Sequence, residues 1–203
     1  VIEIYYAYKK AKEEVTMGDY REYLVRILFT SMLGQRMQEL TQKAEPPFVF
    51  GGSNIGGWAR GYEAYQSYAY LGKGGPAPAI NALVQENERA RRFGFTPAEL
   101  DRIKKVLLKN IERGYNERDK TESSDLVEEY VRNFLEKEPI PGIENEFKFY
   151  TTYLEGITLE EVNQYAVKTI PPTTDSKLVI LTGPAQADFK MPTNAELVAL
   201  TED

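Results

Sequence analysis

The hydrophobic and polar positions of this chain change period several times, and the changes mark its elements. Ile2, Ile4, Tyr6 and Tyr8 alternate with Val1, Glu3, Tyr5 and Ala7. β-branched and aromatic residues at period two predict a strand over residues 1–10. Beyond Met17-Gly18-Asp19 the period lengthens. Tyr20, Tyr23, Leu24, Ile27, Leu28 and Ser31 recur at three- and four-residue spacing and run on through Leu33, Met37 and Leu40. This predicts a helix capped by Asp19 and stopped by Pro46-Pro47. Phe48-Val49-Phe50 then leads into the run Gly51 to Gly57. After it Trp58, Arg60, Tyr62, Ala64, Gln66, Tyr68 and Tyr70 share one alternating register. An antiparallel pair of strands with a turn or a bulge at the glycines is expected.

Past the loop of residues 71–76 the chain is mostly helical. Ile80, Leu83, Val84, Asn87 and Ala90 form one stripe, ended by Gly94. Thr96-Pro97-Ala98-Glu99 combines a threonine cap, a proline at the first helical position and a glutamate at the third. The helix it opens should bury Leu100, Ile103, Leu107 and Ile111. A further helix begins near residues 121–124, with the stripe Leu126, Val127, Tyr130, Val131, Phe134 and Leu135. Pro139 to Gly142 forces a bend before a shorter segment over 143–154. Thr158-Leu159-Glu160-Glu161 is another capping box, for a helix over Val162, Tyr165, Ala166 and Ile170 that ends at Pro171-Pro172. Lys177 to Thr182 reads as a buried strand closed by Gly183-Pro184, with a possible short helix after Thr193.

The order strand, helix, two strands, several helices, strand lacks strict βαβ alternation. It predicts an α+β domain, a sheet of about four mainly antiparallel strands covered on one face by several helices. The expected organisation is a single domain over 1–184. Residues 185–203 are expected to be a linker or tail toward a following domain. The start on a strand without an initiator methionine reads as an excised fragment.

Composition narrows the chemistry. None of the 203 residues is histidine or cysteine. Ser-His-Asp and Cys-His machinery, thiolate nucleophiles, disulfides and His- or Cys-ligated metals are therefore excluded. Zero cysteine does not choose between cytosol and periplasm. The net charge of −6 is mild and both signs are interspersed, so no basic footprint for nucleic acid is present. No apolar run approaches the roughly 18–20 residues that span a bilayer.

The remaining candidates are few. The glycine run 51–57 lacks the G-K-S/T end of a phosphate loop. The charged stretch 112–125, with Glu112, Glu117, Asp119 and Glu122 beside Arg113, Arg118 and Lys120, has three readings. It could be a carboxylate site, a solvated helix junction, or a set of buried charge pairs that fixes an interhelical angle. Glu13-Glu14 and Glu160-Glu161 are sequence neighbours and do not face one another; the second pair suits a helix N-terminus. Tyr62, Tyr65, Tyr68 and Tyr70 could line a peptide-binding surface or fill a sheet–helix interface.

Several segments, in order, resemble one family. They are residues 33–40 (LGQRMQEL) leading to Pro46-Pro47-Phe48, 94–100 (GFTPAEL), 115–123 (YNERDKTES), 140–144 (IPGIE), 157–163 (ITLEEVN) and 179–184 (VILTGP). Together they resemble the domain that follows the catalytic domain in the insulinase/pitrilysin-like zinc metallopeptidases, with the likeness strongest to large bacterial members and spanning residues 1–184.

The resemblance implies an enzyme of two homologous halves enclosing a chamber. Its zinc site, His-x-x-Glu-His plus a distal Glu, would lie in the first domain of the active half. This chain would then be non-catalytic chamber wall, with no cofactor of its own and zinc held in the parent's catalytic domain. Its partners would be that preceding domain, the following half of the same polypeptide and the parent's peptide substrate, with neither nucleic acid nor a membrane span. Family members can place an Arg and a Tyr seven residues apart on substrate. Arg36 falls near the Arg position and is the candidate substrate-binding residue, although Lys43 stands where the Tyr would be. The alternative functions are a free-standing module that captures extended peptides and an inactive processing-peptidase-like subunit.

Overall fold

The computed structural model describes residues 1–183 and 191–202. Five strands make one antiparallel sheet: β1 (Ile2–Tyr6), β2 (Lys9–Lys10), β3 (Phe48–Ala59), β4 (Tyr62–Leu71) and β5 (Lys177–Leu181). β4 is central. One of its edges carries β3 and the other carries β1 and β2, while β1 also pairs with β5. β1 and β2 run along β4 as one interrupted strand, shifted by one residue between Tyr5↔Gln66 and Lys9↔Glu63. The sheet thus has the expected four strand positions, with β3 and β5 at its edges. β5 is half-exposed, because an edge strand cannot be covered on all sides; the expected buried strand is corrected to an edge.

β3 and β4 form a hairpin whose turn is Arg60-Gly61, with Gly61 at φ 77°. From glycines on either side, the sequence leads one to expect an antiparallel pair with a turn or a bulge, and the pair has both. The glycines of 51–57 lie within β3, with register shifts at 48–50 and, starting from Gly57, at 57–59. Gly51 is required there by close approach: a Cβ on it would stand 2.8 Å from the Tyr68 carbonyl.

The pleat sorts the sheet into two faces. Ile2, Ile4, Tyr6, Ile55, Tyr65 and Ala69 point into the core. Phe50, Tyr62, Tyr70 and Leu178 are each about half exposed on the other side. The tyrosine group is therefore divided: Tyr65 fills the sheet–helix interface, while Tyr62 and Tyr70 stand exposed.

Helices cover the inner face. α1 (Met17–Leu40) is central, and α2 (Pro76–Phe93) packs beside it across β1, β3 and β4. α3 (Pro97–Asn116), α5 (Ile143–Tyr153) and α6 (Leu159–Thr169) pack on α1. α1 starts one turn earlier than its apolar stripe implies. Thr16 is the N-cap and Asp19 sits at the third helical position, completing a capping box. Its buried residues are Tyr20, Leu24, Val25, Leu28, Phe29, Met32, Leu33, Arg36, Met37 and Leu40. Tyr23, Ile27 and Ser31, expected in the core stripe, lie on a different flank. α1 ends at Leu40, ahead of Pro46. A buried polar chain ties α2 to the sheet: Tyr65 donates to Asn87 Oδ1 (2.9 Å), Asn87 Nδ2 donates to Ser67 Oγ (2.9 Å), and Ser67 Oγ lies 2.7 Å from Ser53 Oγ.

α4 (Ser123–Glu136) follows a 3-10 turn at Arg118–Lys120. The expected stripe is present, but no residue of α4 is buried. The helix is fastened at its C-terminal end, where Arg60 donates to the Leu135 carbonyl (2.8 Å) and Lys137 meets Glu13 (2.6 Å). The short α7 (Asn194–Ala199) begins with a capping box at Thr193 and buries Leu197. Pro184 and the first part of the expected tail, through residue 190, lie outside the described residues.

Candidate functional site

Arg36 projects inward from α1 and is 6% exposed. Its Nε donates to Glu99 Oε1 at 2.6 Å, and its Nη2 donates to Glu99 Oε2 at 3.0 Å and to the Gly94 carbonyl at 2.9 Å. The guanidinium lies 4.4 Å from the centre of the Phe95 ring. Glu99 is also the third residue of the α3 capping box and accepts from the Thr96 N–H and hydroxyl. Burial opposes ionisation of Glu99, but the bonds from Arg36 and Thr96 prevail and hold its carboxyl down at about 2. From the other side Asn163 of α6 accepts the Phe95 N–H at 2.8 Å. Gly94 has φ 67°, and a Cβ there would fall 2.5 Å from Asn163. Only glycine fits this turn.

Three of the segments that carry the family resemblance thus meet at one point. The 33–40 segment supplies Arg36, the 94–100 segment supplies Gly94, Phe95 and Glu99, and the 157–163 segment supplies Asn163. Glu161 receives Arg21 of α1 at 2.5 Å and caps α6 through Thr158. Arg21 foremost, then Thr158 against the opposing effect of burial, holds the Glu161 carboxyl at about 2. Two more segments meet at a second junction. Tyr115 stacks on Phe147 with ring centres 4.7 Å apart, and Arg118 lies 4.6 Å from the Tyr115 ring and 3.8 Å from Glu144. The charged stretch 112–125 therefore forms a solvated helix junction, and its pair with Glu144 is exposed and not buried.

Zinc does not fit the residues present. The sequence has no imidazole or thiolate donor, and among the described residues no group of acidic side chains is placed to hold a metal. No step of metal-assisted hydrolysis is assigned to this chain.

The surface that invites a ligand is a groove of about 500 Å³ between α1 and β3. Tyr23, Arg26, Ile27, Thr30, Ser31, Gly34 and Gln38 line it from the helix, and residues 50–55 line it from the strand, with Tyr68 behind. Residues of both sheet faces, Ser53 and Ile55 from one and Phe50 and Asn54 from the other, border the same groove. It therefore runs along the β3 edge opposite β4, which pairs with no strand among the described residues. The helical stripe from Arg26 to Gln38 measures about 18 Å, and residues 50–55 of the strand about 17 Å. The two walls match in length. Arg26 stands at one end, with Nη2 on the Ile55 carbonyl (2.9 Å) and Nη1 on Glu63 (3.1 Å). Sequence reasoning finds the glycine run and the tyrosines but not the groove, because nothing local in α1 announces that Ile27, Thr30 and Gly34 face a strand edge.

No family model matches the chain. A PQQL-like zinc protease of Arabidopsis thaliana is 29% identical over 153 residues, which is 75% of this chain and 13% of that protein. The periplasmic protease PqqL of Escherichia coli superposes with a TM-score of 0.80 at 18% identity, over 99% of this chain and 22% of its own. An insulinase-family protease of Yersinia pestis gives 0.81 at 12% identity, over 99% of this chain and 42% of its own. The chain thus spans about an eighth of the curated plant relative and less than half of either solved structure.

Proposed function

Since the chain is an insulinase/pitrilysin-family zinc protease domain, we propose that it acts as a non-catalytic wall and scaffold beside a zinc-bearing domain of a longer polypeptide. In that role it would also hold an extended stretch of peptide substrate. The observation that carries the scaffold reading is the use made of the family-like segments: Arg36, Glu99 and Asn163 lock helices together. In this reading Arg36 positions the chamber wall from within, because three of its hydrogen-bonding contacts and its ring contact are spent inside the domain. The absence of histidine from the sequence supports placing the His-x-x-Glu-His ligands in the neighbouring domain.

The α1–β3 groove supports the substrate-holding part. A free sheet edge accepts an added strand by main-chain hydrogen bonds, and among the described residues no strand pairs with the outer edge of β3. Amide hydrogen exchange on the chain, with and without a peptide of alternating threonine and valine, tests this. Slowed exchange at Gly51 and Ser53 is expected, and unchanged exchange along β3 would contradict it. The same groove would serve a free-standing peptide-binding module. The flanking reading frame separates the two: an upstream inverted zinc motif is expected for the protease domain, and a complete gene without one would favour the module.

A further inference from the structure

We infer that Arg26 is a register stop for strands added to β3, so that the groove takes short extended peptide segments in a fixed register. The inference rests on the groove reading above and goes beyond it. Backbone groups of successive strand residues face opposite edges, so every second residue presents its N–H and C=O to the same side. The Ile55 carbonyl meets Arg26 of α1 at 2.9 Å, which assigns Ile55, and with it Gly51, Ser53 and Gly57, to the free edge. An incoming strand meets a half-buried Gly51 first and then Ser53, whose side chain is turned into the core and which keeps 4% of its surface. At Ile55 it finds the acceptor already occupied and a guanidinium lying across the path.

The stop lies where the strand itself offers least obstruction. Gly56 and Gly57 follow directly and have no side chains, and a Cβ at Gly57 would meet nothing nearer than 3.8 Å. Yet the groove lining ends at Ile55. What closes it is Arg26, held in place by Glu63, a carboxylate that is 15% exposed and also meets Lys9 at 3.3 Å. Arg26 is thereby fixed at both guanidinium arms, and among the described residues it is the one charged side chain lining the groove.

The test uses fluorescein-labelled peptides of alternating threonine and valine, with three, five, seven and nine residues and a solubilising lysine pair. Binding to the chain is read by anisotropy. On the native chain, affinity should rise to about five residues, the length of the groove, and then level off. On Arg26→Met, which keeps the apolar stem, it should go on rising, with the nine-residue peptide binding about tenfold tighter than to the native chain. Glu63→Gln, which leaves Arg26 on the Ile55 carbonyl, should keep the native plateau. Hydrogen exchange on the native chain gives a readout that needs no variant: the nine-residue peptide should protect Ser53 and leave Gly57 unprotected. Protection reaching Gly57 on the native chain, or the same plateau in Arg26→Met, would overturn the stop while leaving the groove reading intact. No binding of any peptide to either form would overturn the groove reading and the stop with it.

Discussion

Arg36 and Glu99 face each other as a fork, with Nε to Oε1 at 2.6 Å and Nη2 to Oε2 at 3.0 Å. The pair joins the middle of α1 to the first turn of α3. Its arginine is buried and its glutamate largely so. Truncating one partner leaves the other charge without compensation in a poorly solvated place. Arg36→Ala is therefore expected to cost about 3 kcal/mol of folding stability. Arg36→Lys should cost about half as much, since an ammonium keeps the charge but cannot form the fork. Urea unfolding with both variants checks the order.

The same pair sets an acid sensitivity. Glu99 is held at about 2 in the folded chain, below the ordinary glutamate value near 4.3. Between those values the unfolded chain binds more protons, so stability rises with pH across the window and is lost as pH falls through it. Glu161 acts in the same direction over the same range. Replacing Glu99 by Gln should flatten the stability–pH curve between about pH 5 and pH 2. Thermal melts at a series of acid pH values measure the slope, and an unaltered slope would contradict the assignment.

Asn87 is the centre of a buried polar chain that links α2 to β4. Replacing it with Ala would strand the Tyr65 hydroxyl, with its donor unpaired, and remove the donor to Ser67. A loss of about 2 kcal/mol is expected. Asn87→Asp should be worse at neutral pH, because it buries a carboxylate beside the hydroxyls. Chemical denaturation of both variants measures the difference.

Two glycines of β3 should behave oppositely. Gly51→Ala drives a Cβ against the Tyr68 carbonyl and is expected to destabilise by about 1–3 kcal/mol. Gly57→Ala brings its Cβ only into ordinary contact with the Tyr62 carbonyl, at 3.8 Å, and should be neutral or slightly stabilising. Comparing their melting temperatures tests the register of the hairpin.

Much of this was legible locally, and the illegible parts have a common cause. Thr96, Pro97 and Glu99 specify the start of α3 within four residues, and the structure has that capping box. Gly94 ends α2 as expected. The core face of α1 was harder to read, because Val25, Ile27, Leu28, Phe29, Met32 and Leu33 make the helix apolar on most sides. Periodicity cannot choose among such faces. In α4 the reverse holds. Its stripe is regular, but Leu126, Tyr130 and Phe134 are exposed, since a stripe records amphipathicity and not the presence of a neighbour. Arg36 stood out in the sequence as a substrate candidate; its geometry with Glu99, sixty-three positions away, is a tertiary fact that no local pattern carries. The groove is also tertiary, made by one flank of α1 and the edge of β3 opposite β4.

The central claim is that this domain supports a zinc protease without holding the zinc. Equilibrating the purified chain with zinc, removing the unbound metal by gel filtration and measuring zinc per chain by elemental analysis tests it most directly. A peptide-hydrolysis assay on the same sample completes the measurement. The account predicts no stoichiometric zinc and no cleavage. One tightly held zinc per chain, with peptide hydrolysis that disappears on chelation, would contradict it.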